Sequence, residues 1–204
     1  MPRFADQPLF SPRLAEAFGL ALELHAHQLR KSTKTPFLAH LMSVASLVIE
    51  DGGNEDEAIA ALLHDAVEDA GGKTALARIR TGFGDSVAAL VDEVTETDLS
   101  PKPPWRERKE HYLAHLEDAS MGALRIAAAD KLHNLRSLVL DLHRLGPSIL
   151  TNFNAPPDEQ IWFFGECRKV LERRLPGCIH LGEYHVLLSD LEAAVPPSPT
   201  ALSL

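Results

Sequence analysis

Apolar residues recur every three or four positions along most of this chain. That spacing gathers one face of an α-helix, whereas a half-buried strand alternates every second residue. Ser11-Pro12 supplies a helix start, with Ser as N-cap and Pro in the first turn. Leu14, Phe18, Ala21, Leu22 and His25 then share a face, and the basic run Arg30–Pro36 is expected to end the helix. A second helix is predicted from near Pro36, carrying Phe37, Leu41, Val44, Leu47 and Val48 and stopped by Asp51-Gly52-Gly53. Asn54 and Glu57 have the spacing of a capping box. The third helix they open is predicted to run unbroken through Ile59, Leu63 and Val67 to Ala70-Gly71-Gly72. Thr74 caps a short fourth helix ending at Gly82, and Asp85 opens a fifth that carries Val87, Leu90, Val91 and Val94. The remaining predicted helices span 105–117, 123–145, 158–175 and 183–194, with a Pro-rich loop at 98–104. No stretch alternates β-branched residues, and no repeat recurs at 20–50 residues. The fold class expected is an all-α, single-domain helical bundle.

Composition narrows the function. The 204 residues carry 20 Lys plus Arg against 29 Asp plus Glu, a formal charge of −9. Nucleic-acid affinity rests on neutralised phosphates, so a DNA or RNA polymer is not an expected partner. A small phosphorylated substrate needs only a few cations and stays open. Cys167 and Cys178 are the only cysteines, too few for a disulfide framework. The first residues, Met-Pro-Arg-Phe-Ala-Asp, show no apolar signal segment, and no apolar run approaches a membrane span. A soluble cytoplasmic protein without membrane association is expected.

The candidate chemistry lies where histidine and aspartate meet apolar helix. His64-Asp65 follows the run Ala58–Leu63, His40 sits among Phe37, Leu41 and Val44, and Asp130 follows Ile126-Ala127-Ala128-Ala129. Two His and two Asp from three helices make a mixed nitrogen–oxygen set, suited to Mn²⁺, Fe²⁺ or Zn²⁺ rather than Ca²⁺. Each alone reads more readily as a hydrogen-bonded core residue than as a ligand. Glu68 and Asp69 lie one turn after His64 and Asp65, so three carboxylates crowd one ridge. Such crowding is unfavourable without a cation; the bland alternative is a solvated acidic helix end. Arg30 and Lys31 read in isolation as cations at a helix C-terminus. Arg106, Arg108 and Lys109 could bind phosphate but read first as a solvated basic face, His111 and His115 read as a surface pair, and His25 and His133 carry no signal of their own. The two cysteines read as core.

Together, His40, His64-Asp65 and Asp130 resemble the H…HD…D pattern of HD-domain metal-dependent phosphohydrolases. The resemblance is closer to the hydrolase domain of RelA/SpoT-type alarmone enzymes and to small stand-alone alarmone hydrolases. It is carried by ALELHAHQLRK (21–31), TPFLAHLMSVA (35–45), LLHDAVED (62–69), FGDSVAALVDEVT (83–95) and ADKLHNLR (129–136), and covers about residues 14–145. It implies one bound Mn²⁺ held by His40, His64, Asp65 and Asp130. It also implies release of pyrophosphate from the 3′ position of guanosine tetra- or pentaphosphate. Glu68 and Asp69 would orient and deprotonate the attacking water, and Arg30, Lys31 and Asn134 would contact the nucleotide. Ala70 and Phe37 depart from the pattern, which has Thr and Tyr there. The expected organisation is an HD-type core over 11–146, a helical extension of the same domain over 147–195 and a disordered tail at 196–204. The length leaves no room for a synthetase domain, and the unmatched C-terminal helices offer a surface for homo-oligomerisation. The alternatives are a phosphatase or nucleotidase for another small phosphorylated metabolite, and a non-catalytic nucleotide-binding HD protein.

Overall fold

The helical periodicity is realised in a computed structural model that describes residues 5–31, 33–99 and 101–195. Ten α-helices appear among the described residues: α1 (Arg13–Leu24), α2 (Leu38–Glu50), α3 (Glu55–Leu63), α4 (Ala66–Asp69), α5 (Gly72–Phe83), α6 (Asp85–Val94), α7 (Trp105–Asp118), α8 (Met121–Leu145), α9 (Pro157–Arg174) and α10 (Leu181–Ala194). A 3₁₀ turn, Pro147–Asn152, links α8 to α9. The only β-type pairing among these residues is an isolated bridge between Leu29 and Pro36. The expected tail at 196–204 lies outside the described residues. No described helix is long and apolar enough to cross a membrane.

Three boundaries differ from expectation. Helix α1 ends at Leu24, ahead of the basic run, because the chain turns into a tight loop. In that loop Phe37 N donates to Gln28 O at 2.9 Å and Arg30 N to Thr35 O at 2.9 Å. The predicted third helix is interrupted at His64-Asp65: Asp65 has φ −92° and ψ 0°, the sparsely allowed bridge region where many active-site residues sit. Helix α5 starts at Gly72 rather than at a Thr74 cap, after Gly71 with φ +146°, a conformation that favours glycine. The capping box is present as predicted. Asn54 Oδ1 accepts from Glu57 N at 3.0 Å, and the Glu57 carboxylate accepts from Asn54 N at 3.2 Å.

Helix α8, 25 residues long, is the element around which the others pack: α2, α3, α6, α9 and α10 all contact it. Leu124, Ile126, Leu132 and Leu135 on α8 are fully buried, each contributing about 1.5–3 kcal/mol of burial free energy. Ala127, Ala128 and Ala129 keep its middle slim. At its N-terminal end a Cβ on Gly122 would meet Glu57 Oε1 and Leu90 Cδ2 at 2.9 Å, so a larger residue there would push those two side chains aside. The segment before α10 is tied to the α2–α3 turn: His180 Nε2 donates to Leu47 O and Ile179 N to Asp51 Oδ1, both at 2.8 Å. Arg125 of α8 bridges Asp51 and Glu57 in the same cluster. Cys167 and Cys178 are buried as free thiols.

Removing the α3 cap tests this local account. Asn54→Ala should cost about 1 kcal/mol of unfolding free energy, typical of a lost N-cap. Urea titration followed by circular dichroism measures it, and the slope of the transition should stay unchanged.

Candidate metal centre and its cavity

The break between α3 and α4 turns His64 and Asp65 toward α2 and α8, where His40 and Asp130 project from the facing turns. His64 Nε2 lies 3.2 Å from Asp65 Oδ2 and 3.7 Å from Asp130 Oδ1. His40 Nε2 lies 3.2 Å from Asp130 Oδ1 and 3.6 Å from Asp65 Oδ2. One ligand atom each of His40, His64 and Asp65 falls within 4.8 Å of the other two, and Asp130 Oδ1 reaches both imidazoles. All four residues singled out by the H…HD…D pattern therefore meet at one point.

The second nitrogen of each ring determines what the first can do. His64 Nδ1 lies 2.8 Å from Ala61 O. A carbonyl only accepts, so Nδ1 carries the proton and a neutral ring presents a bare Nε2 lone pair. That Nε2 is buried and makes no hydrogen bond to any described residue. His40 Nδ1 lies 2.8 Å from His133 Nδ1. Burial, reinforced by His40 and Arg30, lowers the His133 pKa to about 4, so that ring is neutral and one proton is shared between the two Nδ1 atoms. Donation from His40 to His133 is the tautomer that turns a bare His40 Nε2 toward the carboxylates. Two imidazoles and two carboxylates converging on one point make the donor set that suits a divalent metal.

Without a metal, the two carboxylates draw a proton to the site instead. Burial disfavours charge on His64, yet Asp65 and Asp130 outweigh it and hold the pKa well above the ordinary imidazole value. Asp65 and Asp130 are pulled below the usual carboxylate range: burial opposes this, but His64 and His40 outweigh it at Asp65, and Lys131 first, then His40 and His64, outweigh it at Asp130.

These residues line a cavity of about 550 Å³ that also takes in Glu68, Asp69, Arg30, Lys31 and Asn134. Asn134, one turn after Asp130, donates through Nδ2 to Asp130 Oδ1 at 2.6 Å and accepts from Arg30 at 2.8 Å. Arg30 thus backs onto the candidate ligand Asp130 through Asn134, with its guanidinium 5.7 Å from the centre of the Phe37 ring. Lys31 is exposed. Glu68 Oε1 accepts from Lys102 Nζ at 2.9 Å, and Asp69 Oδ2 accepts from Gln28 Nε2 at 2.8 Å.

Several contributors were unsignalled or misread in the sequence. Arg108 and Lys109 do not form a solvated face: both turn inward, share Glu96 as partner and line the cavity. Lys109 lies over the Phe163 ring at 4.5 Å. Its pKa falls to about 7, chiefly by burial, with Lys131 adding to the effect. The available signal was position: Trp105, Lys109, Tyr112 and Leu116 share a helical face whose aromatic and aliphatic members are core. Arg106 points the other way and stacks on Trp162 at 3.3 Å. His133 supports a candidate ligand, and only its spacing of three residues from Asp130 hinted at that. His111 and His115 are exposed, as read.

A cation that binds the folded site alone must stabilise the fold. At 100 times its dissociation constant a divalent metal adds about 2.7 kcal/mol, which for a chain of this size raises Tm by about 5–10 °C. Asp65→Ala should abolish that rise and the bound metal, read by elemental analysis of the dialysed protein.

The profile of the HD domain family matches residues 17–146. The chain is 41% identical over 128 residues to the guanosine-3′,5′-bis(diphosphate) 3′-pyrophosphohydrolase MESH1 of Xenopus tropicalis, spanning 61% of this chain and 69% of that one. The Homo sapiens protein of the same name is 38% identical over 138 residues, 66% of this chain and 72% of that one. Among solved structures, a metazoan ortholog of SpoT that hydrolyses ppGpp and plays a role in starvation responses superposes with a TM-score of 0.71. Its identity is 26%, over 94% of this chain and 100% of that chain. A Listeria monocytogenes protein superposes with a TM-score of 0.65 at 34% identity, over 74% of this chain and 96% of its own. The convergence of the H…HD…D residues on one point and a family match over most of the helical bundle lead to one conclusion: the chain belongs to the HD domain family.

Proposed function

We propose that this protein is a metal-dependent nucleotide pyrophosphohydrolase that removes the 3′-pyrophosphate of guanosine 3′,5′-bis(diphosphate). The observation that carries this reading is the sharing of one cavity by the two-His, two-Asp cluster, the acidic pair Glu68-Asp69 and an array of cations. The substrate assignment takes its support from the MESH1 relatives and the ppGpp-hydrolysing neighbour. Mn²⁺ is the metal of choice, consistent with a mixed imidazole–carboxylate set. Residues 11–146 are taken as the catalytic core and 147–195 as an extension that closes the far wall through Phe153, Gln160 and Phe163. A cytoplasmic location agrees with two buried free thiols.

His40, His64, Asp65 and Asp130 would hold the metal, which would supply Lewis-acid activation of water and of a phosphoryl oxygen. Glu68 and Asp69 orient the attacking water and take up its proton. The water oxygen bonds to the phosphorus attached to the ribose 3′-oxygen, and the bond between that phosphorus and the 3′-oxygen breaks. The 3′-oxygen gains the proton and pyrophosphate departs, so atoms balance as water plus substrate. Arg30, Lys31 and Asn134 hold the nucleotide, Arg30 offering a planar fork and Lys31 a point charge. The cations Lys102, Arg108, Lys109 and Lys131, which also line the cavity, offset the charge of a polyphosphate, although the chain as a whole is acidic.

A panel of nucleotides assayed with Mn²⁺ tests the reading. Pyrophosphate and guanosine 5′-diphosphate from the tetraphosphate are expected. Orthophosphate released only from monoesters would make the protein a phosphatase, and no turnover of any nucleotide would make it a binding protein. Glu68→Gln should lower kcat by about 10²–10⁴-fold, the usual worth of a general base, while retaining metal. Metal loss in that variant would make Glu68 a ligand instead.

A further inference from the structure

The acidic residue Asp69 ends a helix of only four residues and is exposed, a poor platform for a group that must act on a water at a fixed place. Its carboxylate is nevertheless held. Gln28 Nε2 donates to Asp69 Oδ2 at 2.8 Å, and Gln28 Oε1 lies 2.6 Å from His25 Nδ1. The direction of this chain of bonds follows from its end. An ionised carboxylate only accepts, so the Gln28 amide nitrogen faces Asp69 and the amide oxygen faces His25. His25 Nδ1 must then donate, which leaves Nε2 without the proton. That buried Nε2 has no hydrogen-bond partner among the described residues.

The far end of the chain is anchored. His25 is 4% exposed and stacks on Phe37 with ring centres 5.3 Å apart and planes 29° from parallel. Gln28 is fixed a second time through its main chain, which pairs with His25 on one side and Phe37 on the other. Phe37 also packs against the candidate ligand His40 at 5.3 Å. One aromatic ring therefore supports both the candidate metal centre and the line that leads to Asp69.

We propose that His25 and Gln28 are positioning residues for Asp69. They hold its carboxylate in one orientation, with Oδ2 occupied by the amide and Oδ1 left to act on the attacking water. This deepens the hydrolase reading above and rests on it. Neither residue need touch substrate. Their worth is the difference between a base in reach of its proton and one sampling several rotamers, and misplacement by about 1 Å can cost on the order of 10²-fold in rate.

A double-mutant cycle between Gln28 and Asp69 provides the test. Gln28→Leu should lower kcat by about 10- to 100-fold, with KM within twofold and with metal content and Tm close to those of the parent protein. In an Asp69→Asn background the same substitution should have little further effect, because the group it positions is already gone. His25→Phe keeps the stacking on Phe37 and removes the donor; it should show the same loss, which His25→Gln, able to donate to the same oxygen, should largely restore. Equal losses from Gln28→Leu in both backgrounds would overturn the proposal, as would a rise in KM at unchanged kcat, which would make Gln28 a nucleotide contact. A second readout needs no turnover. Crystal structures of the parent and of Gln28→Leu should show one Asp69 rotamer in the first and several in the second. A single unchanged rotamer in both would overturn the clamp. A parent protein inert toward every nucleotide would overturn the hydrolase reading and leave the rotamer comparison to judge the clamp.

Discussion

Two imidazole nitrogens and two carboxylates converge within a few ångströms of largely buried space, and a divalent cation is what such a donor set is fitted to hold. Much of the surrounding structure serves that meeting. The helix that α3 would otherwise continue is broken at Asp65, which turns His64 and Asp65 toward their partners. The alanines of α8 let Asp130 approach α2 and α3 closely. Ala61 O and His133 each hold the second nitrogen of one ring, so that Nε2 is the atom presented. This is the outer shell that orients metal-binding histidines in general. Asn134 and Lys131 do the same for Asp130 by engaging one oxygen each.

The same constraint explains how an acidic protein can offer a site for a polyanion. The excess negative charge is partly spent at the metal centre, while Arg30, Lys31, Lys102, Arg108, Lys109 and Lys131 face the same cavity. Most of these cations are already paired with carboxylates or held against aromatic rings: Lys102 with Glu68, Arg108 and Lys109 with Glu96, Lys131 with Asp130 and Tyr112. A low-dielectric wall strengthens the attraction between each cation and its partner while disfavouring the charge itself, as at Lys109. Net charge describes the exterior, whereas recognition depends on which few cations are turned inward.

The parts legible in the sequence were those governed by neighbours along the chain. The Asn54–Glu57 capping box is a local device and appears where its spacing put it. The length of α8 follows from its apolar face and from Gly146-Pro147 at its end. The ligand pattern was legible because the resemblance joined His40, His64, Asp65 and Asp130 across ninety residues. What remained illegible depends on contacts across the fold. The break at His64-Asp65 is a backbone conformation maintained by packing, since its flanks are good helix formers. The end of α1 at Leu24 depends on main-chain bonds between Gln28 and Phe37 that no propensity encodes. Arg108 and Lys109 looked like surface because charge is visible in a sequence and direction is not. His25 and Gln28 had no signal, since their meaning lies in a bond to Asp69, forty residues away.

The account stands on the cation. Crystals grown with Mn²⁺ and measured at the manganese absorption edge test it most directly. The prediction is one strong anomalous peak bonded to His40 Nε2, His64 Nε2 and oxygens of Asp65 and Asp130, at about 2.0–2.3 Å. An anomalous map with no peak there, or with the metal held elsewhere by other residues, would contradict the centre around which this fold has been explained.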